Sequence, residues 1–343
     1  GLESSMEGGA SNSPWIDLAR RAGPYFVIAA APVLLFFAYP IPATVQDGNP
    51  VDAFYYTGYI NNFDQLIRFY GLTYYSVRFG LILPGWATAG LFGPVAGFYL
   101  LRYVLTVAAA SLCFRCVRRN LGIAPAAAGV VLLLATPAWY RTLLSDYVDS
   151  TGVSFLLIGT SILLTPQLRW RKLNSAAAGC ALALAIDSNV WTLPLAAFAC
   201  LAAFIFRVER WRRFLSVDLP LIGIGALAAH AGGIMFYYWK FGLWRLDEVT
   251  IGTARRLMGG SDPLFGRADP AWVTEVLEIY LVPFLLVTML AASRGGPWCR
   301  FSRAAWGFGA VSSAFYCLWE FVIPFGGDVL YLPYYRSYLL PCW

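Results

Sequence analysis

From Tyr25 onward the chain falls into about nine or ten apolar stretches, each near the ~20 residues that an α-helix needs to cross a bilayer. A run of that length in an apolar medium must satisfy its own backbone, which only a helix or a closed barrel does. The expected fold is therefore all-α: a polytopic membrane protein of about nine or ten helices. The polar segments between the runs sort by charge. If Arg20 and Arg21 hold the N-terminus inside, one set of alternate loops carries Arg115, Arg118 and Arg119; Arg169, Arg171 and Lys172; Arg207, Arg210, Arg212 and Arg213; and Arg294, Arg300 and Arg303. Glu209 reads as the only acid of that set, which is the positive-inside pattern. The other set holds Asp47, Asp52, Asp64, Asp146, Asp149, Asp187, Asp247, Glu248, Asp262, Asp269, Glu275 and Asp328. Acid/base or metal chemistry is thus expected on the outer face, the face turned away from the cytoplasm.

Composition excludes the main alternatives. Of 343 residues, 59% are hydrophobic and 13% charged, whereas soluble domains carry roughly a quarter charged residues. The net charge of +6 does not point to nucleic acid, because the basic residues stand in short loops where they set topology and meet anionic headgroups. Seven cysteines, mostly inside the apolar runs or on the inner side, do not form a disulfide framework. Cys113-Phe-Arg-Cys116 has redox spacing but ends an apolar helix, with neither a βαβ context nor a second pair for zinc. Two lysines against 23 arginines, with abundant alanine, suggest a GC-rich bacterial genome and hence a bacterial inner membrane. Residues 1–14 are polar and Gly/Ser-rich, a disordered tail in which Met6 reads as the native start after an added remnant.

Residues 15–343 read as one transmembrane domain. Span one covers about 25–39, and a long outer segment, 42–93, follows it as short interfacial helices rich in Tyr and Phe. Its end, 81–92, is apolar but interrupted by Pro84, Gly85 and Gly90, and can dip into the bilayer. Span two is expected at 94–114, and spans three and four at 124–138 and 152–164, around an outer loop at 139–150. Spans five and six meet at Asp187-Ser188-Asn189, and span seven, 219–238, contains His230, the only histidine. A second outer loop, 239–274, precedes spans at 275–292 and 304–323. A last apolar run, 329–343, stops part-way, as in a truncated chain.

Two acidic groups stand out. Asp47 and Asp52 lie just outside span one among Phe54, Tyr55 and Tyr56. A carboxylate beside a membrane and among rings is partly desolvated, which raises its proton affinity and suits a general base; capping a surface helix is the alternative. Asp146 and Asp149 are three residues apart, on one face of a helix, where they either hold a divalent cation such as Mg or Mn or cap span four.

A first span, a long outer loop opening with Asp52-x-Phe54-x-Tyr56, and a second acidic pair in the next outer loop resemble the GT-C superfamily of multispan glycosyltransferases. The resemblance covers residues 25–164. It implies a polyprenyl-phosphate-linked sugar donor, a glycan, lipid or protein acceptor, an inverting displacement, Asp52 (with Asp47) as base and Asp146 and Asp149 in the supporting or metal role. Such a donor keeps its phosphate at the interface, so outer-side arginines are candidate phosphate ligands: Arg78, Arg141, Arg255, Arg256 and Arg336. Tyr55 and Tyr56 would line the substrate.

Four polar residues lie within or at the ends of spans. Arg102 must face protein, water or a donor phosphate, or snorkel. Asp187 and Glu320, near outer helix ends, either line the substrate cavity or satisfy neighbouring polar groups. His230, flanked by small residues, reads as a packing residue in a close helix contact. The rival function is a lipid-linked-oligosaccharide flippase using Arg102, Asp187 and Glu320 as a pathway, and a third is a noncatalytic assembly subunit.

Overall fold

The structure, a computed structural model, describes residues 14–38, 50–135, 148–165, 170–190, 192–207 and 210–258, with the backbone alone at 14–21, 50–53, 148–149, 254 and 256–258. Asp47, Arg141, Asp146, Glu320, Arg336 and the spans expected at 275–292 and 304–323 lie outside these residues.

The described residues are all-α, without a strand. Helix α1 is Pro14–Ala38, α2 Pro50–Asn61, α3 Phe63–Tyr70, α4 Phe79–Phe92, α5 Pro94–Leu121, α6 Ile123–Ala135 and α7 Val148–Leu164. Then come α8 (Arg171–Ser188) and α9 (Thr192–Phe206). A helical turn (Trp211–Arg213) and a π-helical segment (Phe214–Asp218) lead into α10 (Leu219–Phe241), and α11 is Leu246–Met258. Pro94–Leu121 and the continuous run Trp211–Phe241 are long and apolar enough to cross a membrane. The other apolar helices are shorter, among them Phe79–Phe92, Ile123–Ala135 and Thr192–Phe206.

Two sequence expectations change here. Residues 81–92 form a regular helix packed on α5 and α8. The α4–α5 hairpin turns on one residue, Gly93, whose φ of 85° suits glycine, and Pro94 then opens α5 without losing a hydrogen bond. The outer loop expected at 239–274 instead begins inside α10, which runs to Phe241, and contains α11. Leu246 and Val249, three residues apart, put an apolar edge of α11 on the bundle.

Contacts align the helix ends. At one end, early α1 meets late α5 (Tyr25 and Phe114 rings, 5.5 Å), and Asn120 Nδ2 donates to the Leu164 carbonyl at 3.2 Å. Arg207, just past α9, donates to the Leu163 carbonyl at 2.6 Å. That end therefore gathers Arg118, Arg119, Arg171, Lys172, Arg207, Arg210, Arg212 and Arg213. It also holds Asp218, which the loop reading passes over because it stands at the border of span seven. Asp218 is buried, paired with Arg171 through both carboxylate oxygens and with Arg207 at 3.2 Å, and Ser175 Oγ donates to it at 3.3 Å. At the opposite end, Phe36 of α1 meets Tyr99 of α5 and Asp187 of α8 meets His230 of α10.

Helices α8 and α10 approach at backbone distance. A Cβ on Gly179 would overlap the Ile222 carbonyl, and one on Gly225 would overlap the Ala176 carbonyl. Gly179 and Gly225, having no Cβ, make this seam possible. The main core fills the space among α5, α7, α8 and α9 with residues such as Val153, Leu156, Leu182, Leu195 and Ala199. A second core, around Tyr56, Phe63, Ile67, Phe79 and Tyr237, ties α2 and α3 to α4 and the end of α10.

Lys240 pins that second core. Its ammonium lies 4.0 Å from the centre of the Trp86 ring, within 6 Å of Phe63, Phe236 and Phe241, and 2.6 Å from Asp64 Oδ1. We expect Lys240→Met to keep the packing volume but cost about 1–2 kcal/mol, the range for a partly desolvated cation over aromatic faces. Faster hydrogen exchange confined to residues 63–70 would be the signature; unchanged exchange there would mean that the cage contributes nothing.

The outer surface of the bundle is unusually apolar. Phe26, Leu34 and Phe37 on α1, Leu132 on α6 and Leu227 and Met235 on α10 are all largely exposed, Leu227 to 69%. Exposed rings mark both ends: Trp170 and Trp211 at the basic end, Tyr238, Trp239 and Trp244 at the other.

Candidate functional site

At the acidic end, four charged side chains from four parts of the chain come together. Asp187 sits in the last turn of α8, His230 midway along α10, Asp247 in the first turn of α11, and Arg78 in the residue before α4. Asp187 Oδ1 is 2.8 Å from His230 Nδ1, and the carboxylate oxygens of Asp247 lie 3.3 and 3.5 Å from Nε2. Arg78 is buried, its guanidinium 4.6 Å from the Tyr74 ring centre, and close enough to act electrostatically on Asp187. The Phe79 ring covers one side of the imidazole at 5.7 Å.

The local sequence explains the placement. Residues 73–76 fold into a reciprocal turn: the Thr73 N–H donates to Ser76 Oγ at 2.7 Å, and the Ser76 N–H donates to Thr73 Oγ1 at 3.2 Å. Tyr59 of α2 holds Thr73 through a 2.9 Å hydroxyl contact, and Tyr237 of α10 donates to the Ser76 carbonyl. Burial pushes the Tyr59 phenol above its ordinary pKa, opposed by its hydrogen bond to Thr73, so it stays a neutral hydroxyl. Arg78 thus leaves a turn fastened from two helices. Gly80 then lets α4 start against the end of α8, where a Cβ would collide with Leu184 and Ser188. Gly233 does the same for the Phe79 ring on α10.

Ionised carboxylates only accept hydrogen bonds, so an imidazole that bonds both Asp187 and Asp247 must donate from both nitrogens, as the imidazolium. Asp187 is the enclosed member, with 8% of its side chain exposed against 58% for Asp247. Its second oxygen, Oδ2, is buried and has no hydrogen-bond partner among the described residues. The group thus offers a fixed, charge-balanced carboxylate with one acceptor position to spare.

The expected site residues distribute unevenly about this group. Asp187 and Arg78 belong to it. His230, read as a packing residue, does lie in a close helix contact, yet its ring is ion-paired. Asp187 Oδ1 is held by His230, and the Ser188 hydroxyl turns back to the Leu184 carbonyl at 2.7 Å. Tyr55 is half exposed and stacks on Tyr75 at 4.6 Å, while Tyr56 is fully buried beneath it. Asp52 stands in the first turn of α2, one turn before these tyrosines, and its side chain lies outside the described residues, as does that of Asp149 in α7. Arg102 is buried in α5 beside the Phe98 ring at 4.9 Å, away from the Asp187 group in sequence and element. Arg255 is exposed on α11, and Arg256 has its backbone alone described. Among the described residues no group of three or more His, Cys, Asp or Glu could hold a metal ion, and Cys113, Cys116, Cys180 and Cys200 are free thiols.

Two members were missed by the sequence reading. For His230 the signal was present: an ionisable residue inside an apolar run is by default a site with a nearby partner. Asp247 was counted only as an outer acid. No protein-family model, no curated protein and no solved structure matches this chain.

Proposed function

We propose that the chain is a polytopic membrane protein whose basic end faces the cytoplasm, and that it transfers a sugar from a polyprenyl-phosphate carrier to an acceptor at its acidic, outer end, as a GT-C-like glycosyltransferase. The observation that carries the reading is the part-buried Asp187–His230 pair, with Arg78 beside it, inside a bundle whose outer surface is apolar. A lipid-linked donor keeps its tail in the bilayer and brings its phosphate to such a place. Charged groups at that depth are costly unless they serve a polar ligand.

Dimensions support it. From Trp211 to Trp239 the chain rises roughly 42 Å at 1.5 Å per helical residue, close to the 40–45 Å between headgroup regions. His230, nine residues before Trp239, then lies roughly 14 Å below the outer ring of aromatic residues. The site is thus reached from within the outer leaflet rather than from the rim. By resemblance, Asp52 is the base; Arg78 is the phosphate ligand best placed among the described arginines, a planar fork next to the paired carboxylate. A bacterial inner membrane with a periplasmic site fits the same orientation, and the acceptor is a glycan, lipid or protein bearing a free hydroxyl.

The test is transfer from a panel of radiolabelled polyprenyl-phosphate sugars by the full chain in nanodiscs. Wild-type transfer with a drop of about 10²–10⁴ in Asp52→Asn supports the reading and its assigned base. No transfer from any donor removes it. Arg102, buried about two turns into α5, favours a second reading as a lipid-linked-oligosaccharide flippase; donor movement across the bilayer without transfer, lost in Arg102→Leu, would establish that instead.

A further inference from the structure

We infer that the Asp187 carboxylate is the group that takes the proton of the acceptor hydroxyl, held for that task by His230, with Asp247 of α11 closing the site over it. This rests on the transferase reading and reassigns its base from Asp52 to Asp187.

An enclosed carboxylate oxygen without a donor is an uncommon and costly arrangement, and a bound ligand that donates to it removes the cost. Asp187 Oδ2 is such an oxygen among the described residues. Its partner Oδ1 is fixed by His230 Nδ1 at 2.8 Å, so the free oxygen has one direction to serve. The ligand must therefore present a proton donor. The neighbouring positive charge of Arg78 disfavours an ammonium there and favours a neutral hydroxyl beside an anionic leaving group. A sugar or lipid alcohol next to a phosphate meets both conditions.

The step balances on groups already named. The acceptor O–H bond breaks as its oxygen bonds to the anomeric carbon of the donor. The bond from that carbon to the phosphate oxygen breaks, and its electron pair stays on the phosphate. The proton rests on Asp187 Oδ2, from which the phosphate product or water removes it.

His230 acts through Asp187 and is a positioning residue. It fixes the carboxylate rotamer and supplies a counter-charge, and Phe79, seated against Gly233, packs one side of the imidazole. Asp247 gives α11 a specific hold on the site. A four-residue link, 242–245, joins α11 to α10, Leu246 is buried as its anchor, and the ion pair to Nε2 joins its first turn to the dyad. Among the described residues, the charged groups facing the imidazole from neighbouring elements are Asp187 on α8, Asp247 on α11 and, through Asp187, Arg78 before α4.

His230 is the only histidine in the chain, so histidine-selective ¹⁵N labelling of the full-length protein in nanodiscs yields one imidazole to follow beside the transfer assay. In Asp187→Asn, transfer falls about 10²–10⁴-fold, the usual worth of a positioned base, and the Nδ1 signal changes because its ionic acceptor is gone. In His230→Gln, whose amide still donates to Asp187, transfer falls less and the limb of the pH–rate profile that tracks the imidazole disappears. In Asp247→Asn, both that limb and the ¹⁵N titration move together to lower pH, since the imidazolium has lost a counter-charge. Wild-type transfer that persists undiminished in Asp187→Asn while Asp52→Asn is inactive overturns this inference and leaves the transferase reading standing. A wild type that transfers from no donor overturns both. A pH profile unchanged in His230→Gln overturns the positioning role.

Discussion

Asp218→Ala destabilises the bundle by about 3–5 kcal/mol, the cost of leaving buried charge without its partner. The carboxylate is 1% exposed and binds two arginines that are themselves mostly covered, Arg171 at the start of α8 and Arg207 after α9. Its removal leaves both guanidinium groups facing each other at the junction of α7, α8, α9 and α10. The same arithmetic makes a sharper prediction. A buried ion triad is worth little over well-packed apolar groups of similar volume, so Arg171→Met, Asp218→Leu and Arg207→Met together should recover most of the loss. Unfolding in mixed detergent micelles measures both. A triple variant as unstable as Asp218→Ala would mean that the cluster holds the fold through its hydrogen bonds, including the one from Arg207 to the Leu163 carbonyl.

Gly225→Leu is expected to be at least as damaging, by about 3 kcal/mol or more, because the added atoms meet backbone rather than a side chain that can turn away. The functional consequence is larger than the number suggests. Asp187 and His230 face each other only while α8 and α10 keep their present separation and register, which Gly179 and Gly225 set. Pushing the helices apart should abolish the Nδ1 contact and with it the histidine ¹⁵N signature of the pair. Gly223, two residues away, faces open space, so Gly223→Leu is the matched control and should be silent. Equal effects at both positions would show that α10 tolerates no bulk for reasons unrelated to the seam.

These two positions also explain what the sequence could and could not tell. The grouping of Arg118, Arg119, Arg171, Lys172 and Arg207 at one end was legible, because short polar links between apolar runs leave the charges nowhere else to go. The helical nature of the runs was legible for the same reason. The pairing of Asp187 with His230 was not, since it depends on the sliding position of one helix along another. That position is recorded in glycines whose significance appears only when the facing carbonyl is known. Asp218 was overlooked because it borders an apolar run and was counted with neither loop nor helix. Helix α11 was read as loop because its mean character is polar, although the spacing of Leu246 and Val249 already marked one apolar edge. Asp52 and Asp149 were singled out by motif, whereas the acids of that end with described side-chain partners are Asp187, Asp247, Glu248 and Asp64.

The Asp218 cluster has a consequence for how the chain is made. Arg171 and Arg207 precede Asp218 by 47 and 11 residues, so in the membrane topology proposed above both arginines leave the ribosome before their acid does. On that reading they are at first unneutralised charges, available to bias the orientation of α8 and α9. When Asp218 emerges, the same two residues are withdrawn from the surface and become a clasp. In the proposed topology, the order of three residues along the chain thus lets orientation be set first and locked afterwards by the same side chains.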